Sequence, residues 1–256
     1  MSTPWIVTPR PSRSPELRLV CIPHAGGGAS TFRDWSRGLP TADVGVVQLP
    51  GRAGRLGEPL VESVSAAADG AADAIARLAT YPTVLFGHGL GALIAFEAAR
   101  RLRDRQWPLL ALFVSGRRAP ALRDPEPPIA HLPVSVFLAE VRRRFGGLPD
   151  AALSDDESAP LLVRSLRADF AMAEGYRYEQ AAPFDCPIVA CGGTADPHAS
   201  PSDLVAWRTE TRSRVSVHTF AGGHLYLERE RAAVTARFAN HLSVMLGALA
   251  RCTGVR

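Results

Sequence analysis

Three positions in this chain have the spacing to do acyl-transfer chemistry: Gly89, Asp196 and His224. Gly89 is the centre of Gly87-His88-Gly89-Leu90-Gly91-Ala92, which follows an apolar run at 83–86 and leads into a helix-period stretch. Strand, glycine turn and helix in that order have the spacing of a nucleophile elbow, G-x-S-x-G, which presents a hydroxyl on a strained turn above the C-terminal edge of a sheet. Here the reactive position is glycine. Asp196 and His224 each follow a later apolar run. An Asp at the tip of one strand hydrogen-bonds the His beyond the next, which fixes the tautomer and aims the other ring nitrogen at the elbow. Each residue alone has a plain explanation, His224 as a satisfied loop histidine and Asp196 before Pro197 as a turn or cap. Together, in the order nucleophile position, acid, histidine, they describe a hydrolase site without its nucleophile.

The elements that must position these residues are legible as a rhythm. Strands are expected at 17–22, 44–49, 83–86, 109–115, 187–191 and 214–220, and helices at 31–39, 64–78, after the elbow, at 202–209 and at 228–249. Apolar strands separated by helical segments imply βαβ units, hence a mostly parallel sheet covered on both faces, in one domain over 1–256. Residues 1–16, rich in Pro, Ser and Arg, read as a lead-in. The loop Pro23-His24-Ala25-Gly26-Gly27-Gly28 is suited to close backbone approach and to presenting N–H groups. Between 124 and 183 the rhythm changes: no strong strand occurs, and helices are expected at 134–145, 159–167 and 168–178. This is a helical lid inserted between two strands, over the strand ends where open α/β sheets form their sites.

At 256 residues the chain is long enough to bury roughly three quarters of its unfolded surface. Hydrophobic residues at 46% and charged residues at 21% are ordinary for a globular protein. The formal charge of +4 favours acidic partners but is too dispersed for nucleic acid; the longest basic run, Arg142 to Arg144, reads as a solvated helix face. No apolar run approaches the ~18 residues of a membrane span, and the N-terminus has no signal pattern, so a cytoplasmic protein is expected. The four cysteines, Cys21, Cys186, Cys191 and Cys252, have no zinc or redox spacing and read as buried or inert thiols; no metal is expected.

The motifs together resemble the type II thioesterases of polyketide and nonribosomal peptide assembly lines, within the α/β-hydrolase fold. The matching words are Cys21-Ile22-Pro23-His24-Ala25-Gly26-Gly27, Leu49-Pro50-Gly51-Arg52, Gly87-His88-x-Leu90-Gly91-Ala92, Phe113-Val114-Ser115-Gly116-Arg117-Arg118-Ala119-Pro120, Leu166-Arg167-Ala168-Asp169-Phe170, Gly193-x-x-Asp196-Pro197 and Gly222-Gly223-His224. The resemblance implies a stand-alone monomer that releases acyl or aminoacyl groups from acyl or peptidyl carrier proteins. No cofactor is implied, because the phosphopantetheine arm enters as part of the substrate. By the same resemblance Asp196 and His224 are charge partner and general base, and the N–H groups of Ala25 and Leu90 form the oxyanion hole.

The departure from the family is Gly89, where Ser or sometimes Cys is expected. Without a hydroxyl or thiol no acyl-enzyme forms there. Three readings follow: an inactive or substrate-trapping form, slow hydrolysis by a water that His224 positions, or Asp–His base catalysis without a covalent step, such as isomerisation, elimination or cyclisation. A fourth is a non-catalytic protein that binds and protects carrier-bound chains. A different class is also open on local sequence, since Gly87 to Ala92 fits the dinucleotide fingerprint G-x-G-x-x-A and Arg117-Arg118 would suit an NADP phosphate.

Overall fold

A computed structural model describes residues 5–78, 81–148 and 156–253. The strands are β1 (Ile6–Val7), β2 (Leu17–Ile22), β3 (Ala42–Val47), β4 (Thr83–His88), β5 (Leu109–Ser115), β6 (Ile188–Gly193) and β7 (Val215–Phe220). They form one sheet in the order β1-β3-β2-β4-β5-β6-β7. Every neighbouring pair is parallel except β1 with β3. The helices are α1 (Trp35–Gly38), α2 (Val64–Ala76), α3 (Leu90–Asp104), α4 (Val134–Phe145), α5 (Ser158–Gly175), α6 (Pro201–Val205), α7 (Tyr226–Arg229) and α8 (Arg231–Thr253).

The continuous apolar runs of the inner strands are explained by burial on both faces. Alternate residues divide between two cores. Val20, Ile22, Leu85, Leu112 and Val114 meet α2 and α3 on one face. Leu19, Cys21, Val84, Phe86 and Phe113 meet Trp35, Phe238 and Leu242 on the other. Alanines at 67, 68, 71 and 72 keep α2 thin on its buried side, where it packs closely against α3.

Several expected boundaries move for identifiable reasons. The lead-in contains β1, where the Ile6 side chain is buried and Val47 is its partner across the antiparallel pair. The segment 31–39 is not one helix but a 3-10 turn at Ala29–Phe32 followed by α1, which lets Phe32 and Trp35 both reach Phe86. Tertiary packing overrides local propensity there. The expected break between 167 and 168 is absent, since Pro160 sits in the first turn of α5 and neither Gly nor Pro follows it before Gly175. The segment 202–209 is likewise α6 plus a 3-10 turn, Ala206–Glu210. The closing helix starts earlier as α7, whose turn buries Tyr226.

The sequence between β5 and β6 carries α4 and α5, with Ile129, Phe137, Val141 and Leu166 forming a small core of their own. Part of that insertion, residues 149–155, lies outside the described residues, as do 1–4 and 254–256 and the side chain of Cys252. The basic run of α4 is not a wholly solvated face. The Arg144 side chain is 8% exposed, bonded to Glu140 and to the Pro127 carbonyl, while Arg143 remains half exposed. No helix among the described residues is long and apolar enough to cross a membrane.

Candidate active site

The site lies at the C-terminal edge of the parallel strands. β4 runs out at His88 and α3 begins at Leu90, leaving Gly89 alone in the turn with φ 56° and ψ −116°. Its N–H donates to the Ser115 carbonyl at 2.9 Å and its carbonyl accepts from Ala92 N–H at 3.1 Å. The flanking glycines are required by packing. A Cβ on Gly87 would run into the Gly91 carbonyl, and one on Gly91 into the carbonyls of Ile22 and Pro23. Gly89 is different, because a Cβ built there would enter the site, 3.2 Å from His224 Nε2.

His224 reaches that position from the loop after β7, and Asp196 from the loop after β6. The two loops cross closely: Ala195 N–H donates to the Gly222 carbonyl at 2.8 Å, and Gly193 has no room for a Cβ against Gly222 and Gly223. His224 Nδ1 lies 2.9 Å from Asp196 Oδ2, with both side chains buried. Since an ionised carboxylate only accepts, Nδ1 carries the proton, and the Nε2 that faces Gly89 carries a lone pair in the neutral ring. Burial works against ionisation of Asp196. The hydrogen bond and charge of His224, with the His198 N–H donating at 3.0 Å, outweigh it and hold the carboxyl below its usual range.

Ala25 and Leu90 flank the same space and line the same chamber. Leu90 is the first residue of α3, so its N–H has no acceptor within the helix. None of the hydrogen bonds among the described residues uses the N–H of Ala25 or of Leu90. Two unspent donors therefore border the turn, at the positive end of a helix dipole.

The chamber encloses about 260 Å³ between the sheet edge and the inserted helices. Val141 and Phe145 of α4, Leu162, Leu166 and Phe170 of α5, and Leu225 give it an apolar wall. A larger cleft of about 590 Å³ adjoins it, sharing Arg117, Asp124, Phe145 and Phe170. The described residues lining the chamber include no Ser, Thr, Cys, Lys or Tyr. Cys21 and Cys191 are buried in strands, and burial pushes their thiols up, that of Cys191 to about 12.

Four features of the site carried no role in the thioesterase reading of the sequence. His198 stacks on Phe145 at 4.4 Å while its backbone supports Asp196; burial, then the charge of nearby His224, pushes its ring down from the usual imidazole range. His88 lies buried beneath the elbow, 4.9 Å from the His224 ring, and is joined through Ser115 Oγ at 2.8 Å to Tyr226. Arg117 lines the chamber. Asp169, fully buried, binds Arg52. All but Phe145, His198 and Tyr226 fall within the family words, yet only contacts reveal their partners. The two arginines of the dinucleotide reading are not a free pair for a phosphate, since Arg118 is held by Asp203 at 3.1 Å.

Comparison with known proteins gives this geometry a context. The thioesterase domain family model matches residues 17–242. The gramicidin S biosynthesis protein GrsT of Aneurinibacillus migulanus is 38% identical over 225 residues, spanning 87% of this chain and 88% of its own. Thioesterase PikA5 of Streptomyces venezuelae is 38% identical over 252 residues, 95% of this chain and 87% of its own. Among solved structures, the type II thioesterase BorB from the borrelidin biosynthetic cluster superposes with a TM-score of 0.86 at 34% identity, covering 94% of this chain and 99% of that one.

Proposed function

Because this chain belongs to the thioesterase domain family, we propose that it takes acyl or aminoacyl thioesters from the phosphopantetheine arm of a carrier protein in polyketide or nonribosomal peptide synthesis and hydrolyses them without an acyl-enzyme. Relatives named for gramicidin S biosynthesis and as a type II thioesterase support the substrate class. The single observation that carries the mechanism is that the elbow keeps its φ of 56° and His224 Nε2 stays 3.2 Å from the position of a Cβ that is absent. The base is aimed at the space where the proposed mechanism places the attacking water.

In this mechanism His224 Nε2 removes a proton from that water as its oxygen attacks the thioester carbonyl. The tetrahedral oxyanion takes the N–H groups of Ala25 and Leu90, and Asp196 stabilises the imidazolium. Collapse expels the pantetheine thiolate, which the imidazolium protonates. The apolar chamber receives the acyl chain. Loss of the serine costs a well-studied protease about 10⁶ in turnover, while oxyanion hole and binding still leave on the order of 10³ over water. Slow turnover is therefore the expectation. The proposal takes the chain as a cytoplasmic monomer whose partners are acyl or peptidyl carrier domains.

The test is release of free acid from acyl-loaded carrier by the native chain, by Gly89→Ser and by His224→Ala. The expected result is a rise of about 10³ or more for Gly89→Ser and loss of the residual rate in His224→Ala. Equal rates for the glycine and serine forms would overturn the role given to the elbow. Rearranged acyl groups still attached to the carrier would replace hydrolysis by non-covalent base chemistry, and stoichiometric protection without turnover would make the chain a binding protein.

A further inference from the structure

Three residues of the family words, Gly26, Arg52 and Asp169, have no role in the chemistry above, yet the fold brings them to one buried point. Arg52 comes from the loop after β3, Asp169 from the middle of α5, and Gly26 from the loop after β2. Arg52 Nη1 and Nη2 grip Asp169 Oδ2 and Oδ1 at 2.6 and 2.7 Å, a bidentate pair. Asp169 Oδ2 also accepts the Gly26 N–H at 2.7 Å. Asp169 is 0% exposed, so the pair is fully taken from water on the carboxylate side.

A buried ion pair of this kind is a weak source of net stability, because desolvation consumes most of the Coulombic gain. Its effect here is geometric. Gly26 N–H and the Ala25 carbonyl are the two ends of one peptide unit. The first is held by Asp169, and the second accepts from His24 Nδ1 at 2.9 Å. The preceding peptide unit is held at its carbonyl, where His24 O accepts from Gly27 N–H at 2.9 Å. Both planes are thereby fixed, and the one polar group left over is the Ala25 N–H. Leu166, one turn before Asp169 on the same face of α5, fills the space beside Gly26, whose φ is +76°.

We infer that Asp169, oriented by Arg52, is a positioning residue that sets the direction of the Ala25 N–H and couples the oxyanion loop to the seating of α5. The inference rests on the reading of Ala25 as an oxyanion donor. It predicts that α5 must be docked before the donor is aligned, so the site is complete only with the inserted helices in place.

The test introduces Asp169→Asn and Arg52→Lys into the full chain and into Gly89→Ser. In the Gly89→Ser background, Asp169→Asn is expected to lower kcat ten- to a hundredfold with KM within about threefold, as for a misaligned oxyanion donor. Arg52→Lys, which keeps charge but not the fork, should fall between. In ¹⁵N–¹H spectra of the native-elbow chain, Asp169→Asn should shift the amide resonances of both Gly26 and Ala25. An unchanged kcat, or a change in KM alone, would overturn the inference, as would an Ala25 amide that does not move. A simple structural anchor would lower the melting temperature and leave kcat at permissive temperature intact. If Asp169→Asn fails to fold, Arg52→Lys supplies the kinetic result. If Gly89→Ser hydrolyses nothing, the proposed reaction fails and the amide spectra still decide the inference.

Discussion

Gly89 holds a backbone conformation, φ 56° and ψ −116°, that side-chain-bearing residues occupy only when the surroundings force them to. The native chain adopts it with glycine, at little steric cost, and gains no nucleophile. A serine there brings two penalties, the positive φ and a Cβ only 3.2 Å from His224 Nε2, which requires the imidazole to yield by a few tenths of an ångström. Gly89→Ser is expected to lose about 1–2 kcal/mol of stability in urea unfolding while gaining activity. Gly89→Ala should lose a similar amount and gain nothing. A serine form as stable as the native chain would mean that the elbow relaxes, and that its geometry is not imposed by the strands around it.

At the scale of elements, the strand–turn–helix unit depends on glycines with no part in the chemistry. Gly91 sits where the first turn of α3 passes over the end of β2, and a methyl group there meets the carbonyls of Ile22 and Pro23. Gly91→Ala is therefore expected to cost at least ~3 kcal/mol, measured as the denaturant midpoint, well beyond the cost of Gly89→Ala. This pattern explains what was legible beforehand. Gly87 and Gly91 obey a local spacing rule, and β2, β4 and β5 announce themselves because strands buried on both faces are apolar over most of their length. β1 was not legible, since two residues in a Pro- and Arg-rich lead-in become a strand only when Val46 and Val47 offer an edge. The Asp196–His224 contact was readable from order along the chain. The Arg52–Asp169–Gly26 junction was not, because its members lie far apart in sequence and obey no periodicity.

For the whole molecule, two apolar layers hold the sheet, and a third, small core ties α4 and α5 together above it. Polar groups inside this body make its stability depend on pH. Burial pushes His24, His88 and His198 down from the usual imidazole value of 6.5. Below that value the unfolded chain binds protons that the folded chain refuses, so stability is complete above about pH 6.5 and is lost as pH falls toward the folded values. Asp196, also held down, extends the loss at lower pH, below its ordinary value of 3.8. Urea midpoints recorded from pH 8 down to pH 5 should therefore fall, and a flat profile would mean that these histidines are free to protonate in the native fold. In the proposed mechanism this molecule retains the surroundings of a thioesterase nucleophile without the reactive atom. That mechanism is tested most directly by the intact mass of the protein during a single turnover with acyl-loaded carrier, native chain beside Gly89→Ser. A transient acyl adduct on the serine form, followed by free acid, and an unmodified mass throughout for the glycine form are expected. An acyl adduct on the native chain would contradict the mechanism.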